Sequence, residues 1–294
     1  MVPGNCDDYT FGVVATPTKG NTAGFATEHI LEFQMIKQFI QEMNSNEFSD
    51  DAFVDPTDNT KRVSFCRYIK TYYFNSKIKV VATPTNPNGP INTPLFWITN
   101  AYPGKNQNAA EFVLLEKGVN TAKEGMWGET PYVRQDTMQG WIDDINNVAR
   151  AIQAVKDMYL AYEYHKIAAV GNTLRTQRLR VANAWNAMDA QVLPPFPMPF
   201  IITRQPSLGT YAPYISQSLE QRWLTWSRGK ADTSRTRAET FMDTNARLLR
   251  DKWYVPAVDK PGLQTSDPVR YALIERIEVL SATVGARTAW ANPF

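Results

Sequence analysis

The chain has 294 residues, 43% of them hydrophobic and 12% aromatic against 20% charged; such a composition buries enough apolar surface to offset the entropy of ordering and excludes a disordered protein. Its 31 basic and 29 acidic side chains leave a net charge of +2, which excludes coating of nucleic acid by bulk charge. The sum conceals an asymmetry: residues 1–147 hold 12 basic and 17 acidic side chains, residues 148–294 hold 19 and 12, and 14 of those 19 cations are arginine.

The length allows one large domain or two smaller ones. Two cysteines, Cys6 and Cys66, are too few for a disulfide framework or a multi-cysteine zinc site, so a reducing compartment is expected. The absence of an Asn-x-Ser/Thr sequon agrees with that. The opening MVPGNCDDYT lacks the basic-then-apolar order of a signal peptide. The longest uncharged run, Val80 to Gly104, is broken by Pro84, Pro87, Pro90, Pro94 and Pro103, so no membrane span is expected.

In chain order, apolar spacing at Ile30, Phe33, Ile36, Ile40 and Met43 predicts a helix from about Thr27 to Met43, with Thr27 as N-cap. An acidic, turn-rich connection follows, and Phe65, Tyr68, Ile69, Tyr72 and Tyr73 again fall at helical spacing, with a strand as the alternative. From Lys77 to Pro131, Pro, Gly, Asn and Thr punctuate short apolar runs. That stretch reads as an irregular insertion of loops and short strands. One stripe through Trp141, Ile145, Val148, Ile152, Val155 and Tyr159 predicts a long helix from Thr137 to near Ala169, ended by Gly171. A second helix is expected from Thr176, through Leu179, Ala182, Trp185 and Met188.

The run VLPPFPMPFIITRQP holds five prolines in thirteen residues, between Pro194 and Pro206. It reads as extended, apolar chain buried against a surface. Three further helices are expected at Ile215 to Ser227, Arg235 to Trp253 and Asp267 to Val284, for five to seven in all. The fold class is therefore mainly α, with a helical domain over 1–76 and 132–294 and an inserted segment at 77–131.

The chemistry-bearing residues are few. His29 and His165 are the only histidines, both inside expected helices, and a thiol–imidazole dyad would have to pair Cys66 with His165 outside any nucleophile motif. Structural roles fit them better. The carboxylate pairs Asp143/Asp144 and Asp50/Asp51 read as a solvated face and a turn, since helix neighbours point about 100° apart. No phosphate-loop, dinucleotide, zinc or nucleophile-elbow motif occurs, so no enzyme activity, metal or cofactor is expected. Arg175, Arg178 and Arg180, then Arg235, Arg237, Arg247 and Arg250, can track a phosphate backbone. The interleaved Asp232, Glu239, Asp243 and Asp251 allow an ordinary salt-bridged surface as well. Trp223, Trp226 and the other tryptophans of the second half, with Phe196, Met198 and Phe200 of the proline run, read as core or subunit-packing residues.

The proline run VLPPFPMPFI and the helical stretch RLRVANAWNAMDAQ before it resemble the capsid proteins of small double-stranded RNA viruses of the partitivirus kind, over about a tenth of the chain. The short length points to the cryspovirus type. The resemblance implies a helical shell domain forming quasi-symmetric dimers that close into an icosahedral shell, with residues 77–131 protruding. It further implies a virion protein assembled in host cytoplasm, with weak non-specific contacts to genomic RNA and room for an internal polymerase. The alternatives are a nucleoprotein sheathing RNA in one basic groove and a soluble helical enzyme.

Overall fold

A computed structural model describes residues 23–44, 53–55, 58–74, 76, 79–83, 86, 88–104, 107–190 and 218–294. In chain order the described elements begin with β1 (Phe25–Glu28), α1 (Gln34–Glu42), β2 (Phe53–Asp55), β3 (Asp58–Val63), α2 (Phe65–Tyr72), β4 (Val80–Val81), β5 (Ile91–Asn92) and α3 (Pro94–Thr99). They continue with β6 (Val113–Glu116), α4 (Lys117–Trp127), α5 (Gln135–Asp143), α6 (Val148–Lys166), α7 (Ala168–Ala190), α8 (Leu219–Trp253), α9 (Lys260–Ser266) and α10 (Pro268–Gly285). The strands form three two-stranded antiparallel sheets, so the fold is mainly α, as expected.

The chain divides into two compact units. The first comprises residues up to Glu28, Val113–Asn172 and Lys230–Pro293. Its centre is α6, whose buried residues include Val148, Ile152, Val155, Met158 and Leu160, and also Lys156, Asp157 and His165. A helix buried on most of its circumference must be covered from several sides, and α4, α5 and α10 cover this one. β1 pairs with β6 in the register Phe25↔Glu116 to Glu28↔Val113. Behind that ladder the buried Lys123 ammonium is paired with the Glu28 carboxylate. Residues 287–293, in neither helix nor strand, add the fully buried Trp290.

The second unit comprises His29–Phe112, Thr173–Gly229 and Phe294. Its core gathers on Phe39 of α1, whose ring lies 5.4 Å from Trp185, 5.4 Å from Trp223 and 5.5 Å from Trp226. Offset aromatic contacts of this kind add to plain area burial. Ser64 caps α2 by accepting the Arg67 N–H. Thr93 caps α3 in the same way, with Pro94 pre-set for the first turn.

Several expectations are corrected. Residues 27–33 of the Thr27–Met43 pattern are not helix: Thr27 pairs with Leu114 in the β1–β6 ladder, so it is no cap, and His29 lies in the loop beyond. Gln177 holds that loop by accepting the Leu31 N–H at 2.8 Å. The Thr137–Ala169 helix is two helices. Asp144 accepts from the Asn146 N–H at 2.9 Å and turns the chain there, leaving Ile145 of the expected stripe 48% exposed. The next break falls at Ile167, with ψ of 122°, while Gly171 sits inside α7. The two patterns Ile215–Ser227 and Arg235–Trp253 belong, from Leu219 onward, to the single 35-residue α8, which runs through Gly229; residues 215–217 lie outside the described residues. The stretch 77–131 includes α3 and the eleven-residue α4, where no helix was expected. α4 is possible there because its core-facing residues Val119, Ala122, Met126 and Trp127 are at helical spacing.

Candidate functional site

The arginines are the first residues to place. In the second unit, Arg180 of α7 forks onto Glu111, Nη1 lying 2.9 Å from Oε1 and Nη2 2.5 Å from Oε2, while Nε donates to the Ala101 carbonyl at 2.6 Å. That hydrogen-bonded guanidinium is the main cause that holds the Glu111 carboxyl below its ordinary range. Arg178 donates to Ser227 Oγ at 2.8 Å and to the Leu224 carbonyl, with its guanidinium 4.6 Å from the Phe294 ring centre. Arg175 is exposed.

In the first unit, four arginines lie along α8. Arg237 donates to the Met126 and Gly128 carbonyls at the end of α4. Arg235 is paired with Asp232 and donates to the Trp290 carbonyl at 3.4 Å. Arg247 and Arg250 stand out in solvent beside Asp251 at 3.5 and 3.6 Å. Four of the seven, Arg178, Arg180, Arg235 and Arg237, grip their own chain, and Arg175, Arg247 and Arg250 are exposed.

The packing candidates separate similarly. Trp223 is fully buried in its own unit, where its indole N–H donates to the Arg178 carbonyl at 3.1 Å. It packs in the core of that unit. Trp226 is half-buried, 5.6 Å from Trp223. Phe196, Met198 and Phe200 lie outside the described residues.

His165 is occupied at both nitrogens, by the Trp127 indole N–H at 2.9 Å and the Ala161 carbonyl at 2.7 Å, which leaves nothing for a nucleophile. Asp143 accepts from Gln139 at 2.9 Å and pairs with Lys252 at 3.1 Å; Asp144 caps the turn after α5. Hydrogen bonds hold both carboxyls below their ordinary range, from Gln139 first for Asp143 and from the Asn146 N–H first for Asp144. The two serve separate local contacts and form no shared centre. Asp50 and Asp51 lie outside the described residues.

One cluster escapes sequence reading altogether. An open cleft of about 340 Å³ in the first unit is lined by Tyr132, Trp141, Ala149, Arg150, Gln153 and Asp157, among others. Asp157 is 4% exposed and accepts from Gln153 Nε2 at 2.6 Å and from the Tyr132 hydroxyl at 3.1 Å. Burial lifts its carboxyl to about 6. A buried carboxylate that folding disfavours at neutral pH is a mark of sites where charge matters. The available signal was a charged pair, Lys156–Asp157, inside an otherwise apolar helical stretch. Among the described residues no group of three or more His, Cys, Asp or Glu could hold a metal, and no helix is long and apolar enough to cross a membrane.

No protein family, curated protein or solved structure matches this chain.

Proposed function

We propose that this chain is a viral capsid protein that self-assembles into an icosahedral shell around double-stranded RNA, built from dimers and formed in the host cytoplasm. The observation that carries the reading is the disposition of the arginines. A protein that sheathes RNA in a groove needs its cations turned to one phosphate track. Here Arg178, Arg180, Arg235 and Arg237 direct hydrogen bonds to their own chain, and Arg175, Arg247 and Arg250 are exposed. Limited attraction of this kind suits a stiff duplex that must move inside its container, with contacts to phosphate and no base readout. The apolar proline run from Val192 to Ile202 supplies surface for subunit packing, and an internal polymerase completes the set of partners.

Electron microscopy of the purified protein across a range of salt concentrations tests the reading. Closed shells are the expected result, and Phe196→Asp in the proline run is expected to abolish them. A dispersed monomer under every salt condition would sink the proposal, and RNA-dependent filaments would replace it with a nucleoprotein.

A further inference from the structure

Two carboxylates close on one glycine where the start of α4 meets α6. A Cβ built on Gly118 would stand 2.6 Å from Oδ2 of Asp157 and 3.2 Å from Oε2 of Glu116, so the approach of both acids depends on a residue without a side chain. Glu116 is fixed there by its own helix, because Oε2 accepts the Val119 N–H at 3.1 Å and caps α4. Asp157 is fixed from two sides: Gln153, one turn earlier on α6, donates to Oδ1, and Tyr132, in the loop after α4, donates to Oδ2. That loop is itself pressed onto α4, since a Cβ on Gly125 would meet the Tyr132 Cα at 2.6 Å. Three segments therefore converge on one ionisable group that borders an open cleft.

We propose that Asp157 is a pH-operated catch: ionised, it is a charge buried beside the Glu116 carboxylate that loosens the first turn of α4 from α6; protonated, it lets that turn close. The groups that face it are Glu116 from the β6–α4 junction, Tyr132 from the loop, and Gln153 and Lys156 from α6, while α5 contributes Trp141 and α6 contributes Arg150 to the cleft. Burial is the main cause that lifts its carboxyl to about 6, and Glu116 adds to it. The hydrogen bonds from Gln153 and Tyr132 and the charge of Lys156 pull the other way without cancelling it. A carboxyl raised in the closed form binds its proton more tightly there than in an opened one. Closure is therefore strongest below about pH 4, weakens as pH rises to about 6, and then levels off. The catch lies wholly within the first unit and stands apart from the shell reading.

The test is amide exchange at Gly118–Ala122 between pH 4 and 7, corrected for intrinsic rates, together with the carboxyl carbon shift of Asp157. Protection is expected to fall as pH rises by up to about 100-fold, the limit set by a carboxyl held near 6 in place of near 4. In Asp157→Asn, whose side chain still accepts from Tyr132, protection should be high and flat. Glu116→Gln keeps an oxygen for the cap, removes the opposing charge and should shrink the pH dependence; it carries the test alone if the asparagine variant fails to fold. Protection independent of pH in the wild type, or an undiminished dependence in either variant, would overturn the proposal.

Discussion

The indole N–H of Trp127 donates to Nε2 of His165 across 2.9 Å, and the Trp290 ring lies against both, 6.0 Å from the first and 4.9 Å from the second. With Nε2 accepting, the imidazole proton resides on Nδ1, which faces the Ala161 carbonyl at 2.7 Å, so each nitrogen selects the neutral tautomer. Burial first, and the nearby Lys123 charge second, push His165 down to about 3.

A histidine held neutral contributes stability that is complete above about pH 6.5 and is lost as pH falls toward 3. Asp157, two turns earlier on the same helix, has the opposite sign, so the informative quantity is a difference between chains. Urea unfolding at pH 7 and pH 4 should show that His165→Gln loses about 3 kcal/mol less than the wild type over this interval. Parallel pH profiles for the two chains would refute the tautomer argument.

The Arg180–Glu111 fork, with Gln177 donating to the same carboxylate at 2.9 Å, ties α7 to the short helical turn at Ala109–Glu111. Arg180→Ala should destabilise the chain by about 1–2 kcal/mol. A double-mutant cycle with Glu111→Ala should return most of that as coupling. Because the carboxyl is held low, this contribution is present at neutral pH and fades on acidification. Additive single mutants would show that the pair does not act as one.

Arg237 places its charge on the last carbonyls of α4, where a helix end attracts cations. Thermal unfolding of Arg237→Ala should report a loss of about 1–2 kcal/mol. Arg247→Ala with Arg250→Ala, both exposed, should leave stability within about 0.5 kcal/mol and lower the ratio of RNA to protein in purified particles. An unchanged ratio removes these two residues from the RNA-facing set.

Gly125→Ala forces a methyl against the backbone of Tyr132, which no flexible side chain can relieve. The expected cost is about 1–3 kcal/mol in denaturant unfolding. A neutral result would mean that the loop after α4 yields freely.

What could be read from the sequence is what local periodicity carries. α2 and α10 appear where apolar spacing is uninterrupted, and Asp267–Pro268 marks the start of α10 by a cap and a pre-set φ. The turn at Asp144 was written in Asp-Ile-Asn-Asn, yet the apolar stripe running through Ile145 masked it. Gly171 does not end a helix but sits inside α7, since a helix interior tolerates one glycine at about 1 kcal/mol. Beyond the Lys156–Asp157 charge pair in an apolar helix, the cluster at residues 116, 118, 132 and 157 has no local signature. Its members come from a strand end, two parts of a helix–loop segment and a second helix, and only tertiary packing joins them.

Trp290 also bears on the order in which the chain folds. The first unit gathers β1 near residue 25, the β6–α6 stretch and a tryptophan at position 290, so its closing contact joins segments made early and late in synthesis. A nascent chain can form α6 long before Trp290 exists, and until then the faces of Trp127 and His165 that this ring covers are bare. The interval exposes apolar surface to other chains. Contacts spanning most of the sequence are also slow to form, so the yield of this unit should depend on how well the chain is shielded while residues 172–286 are being made.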